Sequence, residues 1–155
     1  MAAVKRALLV VGALAAVVVV ATPAQAEPAV DADRYRTDGG EYAFQYRYEG
    51  SGRNCTISGD PTTVRCIIAP PAGTRITVGR RVVRPNAIEV TERGWRYLQD
   101  RTDQERLRSL PEGARLSVLG VSCTAVRDGG LECTLNGVGF RQAAGSFKPQ
   151  GPRAQ

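Results

Sequence analysis

Four cysteines, Cys55, Cys66, Cys123 and Cys133, carry the most specific chemistry in this chain. Thiols ligate zinc, attack as nucleophiles or close into cystines, and their setting separates these uses. Ten residues lie within the first pair and nine within the second, too many for the close cysteine pairs of structural zinc sites. There is no histidine, which excludes Ser-His and Cys-His nucleophilic machinery and removes the commonest ligand for zinc and copper. No phosphate-binding or dinucleotide fingerprint is present, and the glycines fall at turns. No metal or cofactor is implied. An even cysteine count in an exported chain points to disulfides.

Three further sets of residues bear on function. Arg75, Arg80, Arg81 and Arg84 fall within ten residues, a patch suited to an anionic wall polymer, phospholipid headgroups or an acidic partner. The same arginines would also guard a sheet edge against aggregation. Tyr42, Phe44, Tyr46 and Tyr48 alternate with polar or small residues, so a strand would place all four on one face, either towards the core or as a platform for stacking on sugars. Glu89, Glu92, Asp128 and Glu132 are the candidate acids for a carboxylate-dependent hydrolase, which needs two of them at a set separation.

The elements that position these groups are strands. Asn54 to Ile68 (NCTISGDPTTVRCII) and Ser122 to Phe140 (SCTAVRDGGLECTLNGVGF) share a Cys-Thr opening, a short alternating run, a turn cluster and a closing Cys. Each reads as a β-hairpin, with Gly59 to Thr62 and Asp128-Gly129-Gly130 as the loops. Four cysteines allow three pairings; hairpin geometry places Cys55 opposite Cys66 and Cys123 opposite Cys133, and predicts those two. Thr74 to Val78 and Arg81 to Arg84 read as strands joined around Gly79-Arg80, and Ala87 to Val90 as another. The pattern of Trp95 to Leu98 suits either helix or strand. Thr102 and Glu105 fit a capping box, with Leu107 and Leu110 on one face and Pro111 as the stop, which predicts a short helix. Arg115 to Val121 reads as a strand leading into the second Cys hairpin.

The ends set the compartment. Met1 to Ala26 has a basic start at Lys5 and Arg6, an apolar core over Ala7 to Ala21 and an Ala24-Gln25-Ala26 site, the pattern of a secretory signal peptide cleaved after Ala26. The apolar core is shorter than the ~20 residues of a membrane span. The remaining 129 residues suit one modest domain. They carry 19 basic and 15 acidic side chains, a net +4, with Lys148 the one lysine, so nucleic acid is not indicated as a partner. Residues 27–40 read as a flexible arm, 41–144 as a single β-rich domain and 145–155, rich in Gly, Pro and Gln, as a disordered tail.

With Asn54-Cys55, Val64-Arg65-Cys66, Leu110-Pro111-Glu112-Gly113, Val121-Ser122-Cys123, Leu131-Glu132-Cys133 and Gly137-Val138-Gly139-Phe140, the chain resembles a group of small secreted domains from high-GC Gram-positive bacteria. That group has two Cys hairpins and a Gly-x-Gly-Phe ending. It often has Ser-Gly-Asn where this chain has Gly52-Arg53-Asn54, a His where this chain has Val138, and additional cysteines in the middle. The resemblance covers Phe44 to Phe140 and implies a secreted β-rich domain without a biochemical role.

The expectation is a mainly β, small antiparallel sheet domain with two disulfide-stapled hairpins and one short helix. It would be extracellular or wall-associated, with no transmembrane segment after processing. Its function would be a non-catalytic binding module for an anionic envelope component. The alternatives are an effector or inhibitor directed at another extracellular protein and, third, the hydrolase.

Overall fold

Strict alternation of inward and outward side chains builds most of this protein. The computed structural model describes residues 26–103 and 105–155; the predicted signal segment, up to residue 25, lies outside them. One five-stranded antiparallel sheet contains β1 (Tyr42–Tyr48), β2 (Ser51–Ser58), β3 (Thr63–Ile67), β6 (Ala87–Thr91) and β7 (Gly94–Leu98) in that order. A second contains β8 (Arg115–Val118), β9 (Val121–Ala125), β10 (Gly130–Leu135), β11 (Val138–Ala143) and β12 (Ser146–Gln150), again in chain order. A separate two-stranded ladder, β4 (Ile76–Val78) with β5 (Arg81–Val83), is inserted between β3 and β6.

The two large sheets face each other across one core to which both contribute. Phe44, Tyr46, Ile57, Val64, Ile88 and Val90 come from the first, and Leu116, Leu131, Leu135 and Phe140 from the second; all are essentially inaccessible. Both cystines form as the hairpin reading predicts. Cys55 is bonded to Cys66 and Cys123 to Cys133, each pair with Cα atoms 4.1 Å apart, and all four residues are buried.

The sheets repeat one another in register. The row running through the first cystine is Phe44, Cys55, Cys66, Ile88 and Tyr97. The row through the second is Leu116, Cys123, Cys133, Phe140 and Pro149. One residue along each strand, the outward rows are Ala43, Thr56, Arg65, Glu89, Arg96 and Arg115, Thr124, Glu132, Arg141, Lys148, with the two central charges reversed between the copies. The Gly-x-Gly-Phe ending has a physical reason in this register. Phe140 points inward beside Cys133, while a Cβ on Gly139 would come within 2.0 Å of the Cys133 carbonyl oxygen.

Three sequence expectations are overturned, all for one reason: open strand edges leave backbone groups unpaired and recruit chain to cover them. The arm at 27–40 is not loose. Val30 N–H donates to the Arg115 carbonyl (2.9 Å) and Arg115 N–H to that of Pro28 (3.0 Å), closing the β8 edge. A single 3-10 turn, Ala32–Tyr35, then buries Tyr35 edge-on against Phe44. The tail at 145–155 is not disordered either: Ser146–Gln150 pairs with β11, Phe147 stacks on Phe140 with ring centres 5.7 Å apart, and residues 152–154 pair with Trp95 on the β7 edge. Finally, the capping-box stretch forms no helix among its described residues. Asp100 takes both the Thr102 N–H and its hydroxyl, and residues 108–110 pair along the β1 edge. There Gln45 N–H donates to the Arg108 carbonyl (2.9 Å) and Leu110 N–H to that of Gln45 (2.8 Å). The segment at Trp95 that suited either type is strand β7.

Replacing Cys55 and Cys66 together by alanine, or Cys123 and Cys133 together, is expected to lower stability by about 2 to 3 kcal/mol, since each closes a short loop. Urea unfolding reads the loss, which should be similar for the two because they hold equivalent places.

Candidate functional site: an arginine hairpin

The sequence Val78-Gly79-Arg80-Arg81 makes the tightest turn in the inserted ladder. Gly79 sits at φ 62°, the conformation that the first central residue of a type II′ hairpin turn requires and that glycine adopts without strain. The register pairs Val78 with Arg81, Thr77 with Val82 and Ile76 with Val83. Arg75, Arg80, Arg81 and Arg84 are all exposed. Among the described residues, none of the four lies within ion-pairing distance of a carboxylate; Arg75 donates to the neighbouring Thr74 carbonyl at 3.1 Å. The hairpin contributes no residue to the core, and Val78 and Val82 are left 44% and 69% exposed.

What holds the base of this inserted element is a buried polar cluster. Gln142, wholly inaccessible on β11, reaches across the core to Ala69: its amide nitrogen donates to the Ala69 carbonyl (2.8 Å) and its oxygen accepts from the Ala69 N–H (3.2 Å). The Tyr46 hydroxyl donates to the Ile67 carbonyl at 2.6 Å and lies 3.1 Å from the same Gln142 oxygen. Burial pushes the Tyr46 phenol above its ordinary value, so it stays a neutral donor. On the returning side, Pro85 is buried. Asn86 is tied by its N–H to Leu98 (3.1 Å) and by its carbonyl to Ile68 N–H (2.8 Å), while its side chain exchanges two bonds with the Asp100 backbone. Both legs of the insertion are therefore anchored, and the part beyond them is not. Neither Gln142 nor Asn86 carries a sequence signal: a lone amide in an alternating strand reads as surface.

The aromatic strand does not make a stacking platform. Phe44, Tyr46 and Tyr48 are buried and Tyr42 half-buried against the same core, because β1 must supply its large side chains to the facing sheet. The four candidate acids are not brought together. Glu89 and Glu132 lie on the outward rows of the two opposed sheets, with the core between them; Glu92 and Asp128 occupy separate turns. Glu89 is buried and clamped by Arg65 (2.7 Å) and Arg96 (2.6 Å). Burial works to raise its carboxyl, but the hydrogen bonds from Arg65 and Arg96 outweigh this and hold it below the ordinary value, making it a fixed anion and a poor proton donor. All four sulfurs are in disulfides, which sets aside the zinc alternative.

A polar groove of about 1040 Å³ crosses the outer face of the second sheet, lined by residues that include Glu27, Arg115, Thr124, Glu132 and Arg141. Four of its charges are paired with each other, Glu27 with Arg115 and Glu132 with Arg141, while Arg127 at its rim has no ion pair among the described residues. The loop at Asp128 to Gly130 leans on the end of β1, where a Cβ on Gly129 would lie 3.4 Å from the Arg47 carbonyl oxygen. What distinguishes the β4–β5 hairpin is that four unpaired arginines and two exposed valines share one short element. No helix among the described residues is long and apolar enough to cross a membrane, and two cystines fit an oxidising compartment. Comparison with protein-family models, curated proteins and solved structures found no match to the chain.

Gln142→Leu leaves the partly buried Ala69 N–H and C=O without their side-chain partner. It is expected to cost about 2 to 4 kcal/mol in chemical unfolding, well above the roughly 1 kcal/mol typical of single substitutions.

Proposed function

We propose that this chain is an exported, cell-envelope-associated binding module that holds an anionic envelope component with its arginine hairpin. On this reading the signal segment is removed after Ala26 and the working protein begins at Glu27, as in the secreted domains it resembles. The observation that carries the proposal is the placement of Arg75, Arg80, Arg81 and Arg84: exposed, without carboxylate partners among the described residues, on a ladder belonging to neither large sheet. The arginines do not lie on an edge of either large sheet, so they guard neither. The edges of the large sheets are instead covered by residues 28–30, 108–110 and 152–154, or carry Lys148 and Pro149 on β12. Four uncompensated guanidinium groups on one short element create a local field stronger than the net charge of the chain suggests, and arginine's planar fork suits phosphate and carboxylate oxygens.

The test is retention of the protein, produced from Glu27 to Gln155, on fractionated envelope and on purified anionic envelope material. Binding should weaken as salt shortens the screening length from ~10 Å at 0.1 M to ~3 Å at 1 M. Replacing all four arginines by glutamine should reduce it at least tenfold, on the basis of roughly 1 kcal/mol per basic residue near an anionic surface. Retention that ignores both salt and the arginines would remove the hairpin from the account.

A further inference from the structure

We infer that the component held by the hairpin is the surface of an anionic lipid bilayer, which the hairpin enters tip first with Val78 and Val82. The inference rests on the arginine-hairpin reading above and specifies its ligand. Three large hydrophobic side chains are exposed among the described residues, and two of them, Val78 and Val82, flank this one turn. A hairpin of three-residue strands gains little from its own ladder, so free valines on it serve neither the core nor the local fold.

Their directions select the kind of partner. Val78 shares a face with its cross-strand neighbour Arg81, whereas Val82 stands beside Thr77 on the opposite face. A rigid protein surface laid against the hairpin covers one face and leaves the other valine in water. A soluble polyanion engages the arginines and has no use for either valine. A fluid interface closes around both faces when the turn enters end on.

The arginines then fall at two heights. Arg80 and Arg81 are at the turn, where long apolar stems let the guanidinium groups stay level with lipid phosphates while the valines sit below. Arg75 and Arg84 flank the strand ends, opposite one another by one step of the same register, about 10 Å back along the strands at ~3.3 Å per residue. That is within one screening length of an anionic surface. Depth is limited by the backbone: both strands have an unpaired edge, and those N–H and C=O groups need water, which keeps the hairpin in the headgroup layer and out of the hydrocarbon.

The experiment uses the protein from Glu27 to Gln155 with three probes: vesicles of phosphatidylglycerol and phosphatidylcholine in equal parts, vesicles of phosphatidylcholine alone, and soluble poly(glycerol phosphate). Co-sedimentation should show binding to the mixed vesicles, salt-sensitive and absent from the neutral ones. Val78→Ser with Val82→Ser, both on exposed positions outside the core, should lower partition onto mixed vesicles by roughly tenfold. A Val82→Trp reporter should shift to shorter emission wavelengths on those vesicles and be quenched by brominated lipid. Wild-type partition by the serine variant, or a reporter that stays in water, overturns tip insertion. Binding to poly(glycerol phosphate) without binding to mixed vesicles overturns the lipid ligand while the arginine-hairpin reading stands; binding to neither overturns both.

Discussion

Everything in this structure depends on register, and register is held at one point in each sheet by an inward-facing cystine. Because successive side chains on a strand alternate faces, pairing Cys55 with Cys66 and Cys123 with Cys133 directly opposite one another decides the face of every other residue on those strands. Phe44, Ile88 and Tyr97 then fall in line with the first cystine, and Leu116 and Phe140 with the second. The residues one step away are turned outward, where Arg65, Glu89 and Arg96 form a charge ladder on one copy and Glu132 pairs with Arg141 on the other. A domain of this size has a modest core, and a covalent bond at the centre of each sheet removes the one-residue slip that would turn that core outward.

The second constraint is the closing of edges, and the two copies do it for each other. Residues 28–30, which precede the first sheet, hydrogen-bond along β8 of the second; residues 108–110, which precede the second sheet, hydrogen-bond along β1 of the first. The C-terminal residues 152–154 return to β7, where Trp95 donates its indole N–H to the Gly151 carbonyl and the Arg153 guanidinium lies 5.6 Å from its ring centre. This exchange joins the sheets into one unit beyond the shared core.

These two constraints differ in how far a sequence exposes them. The Cys hairpins, the aromatic alternation from Tyr42 to Tyr48 and the Gly79-Arg80 turn are local patterns, and each is legible because neighbouring residues carry the whole signal. Edge covering is a long-range requirement. A polar arm, a Gly- and Pro-rich tail and a capping box at Thr102 are composed like loop, disorder and helix, yet unpaired backbone on β8, β11, β7 and β1 draws each into extended pairing. The repeat is visible as two similar Cys segments, but its extension to five strands is not, since the outward rows match in position and differ in charge. Of the candidate site, the arginines and their turn are readable; the anchors Gln142 and Asn86 are not, because their value lies in backbone groups that are distant in sequence or in orientation.

With the sandwich closed on itself by cystines and exchanged edges, the β4–β5 hairpin is a guest: anchored at Ala69 and Asn86, absent from the core, and concentrating four unpaired arginines and two exposed valines on one short element. The claim that fold and function reside in separable parts is tested most directly by replacing Gly73 to Arg84 with a short Gly-Ser linker and measuring thermal unfolding and envelope binding on the same preparation. The expected midpoint is within a few degrees of the parent, corresponding to less than about 1 kcal/mol, with binding abolished. A variant that fails to fold, or one that folds and still binds, would contradict it.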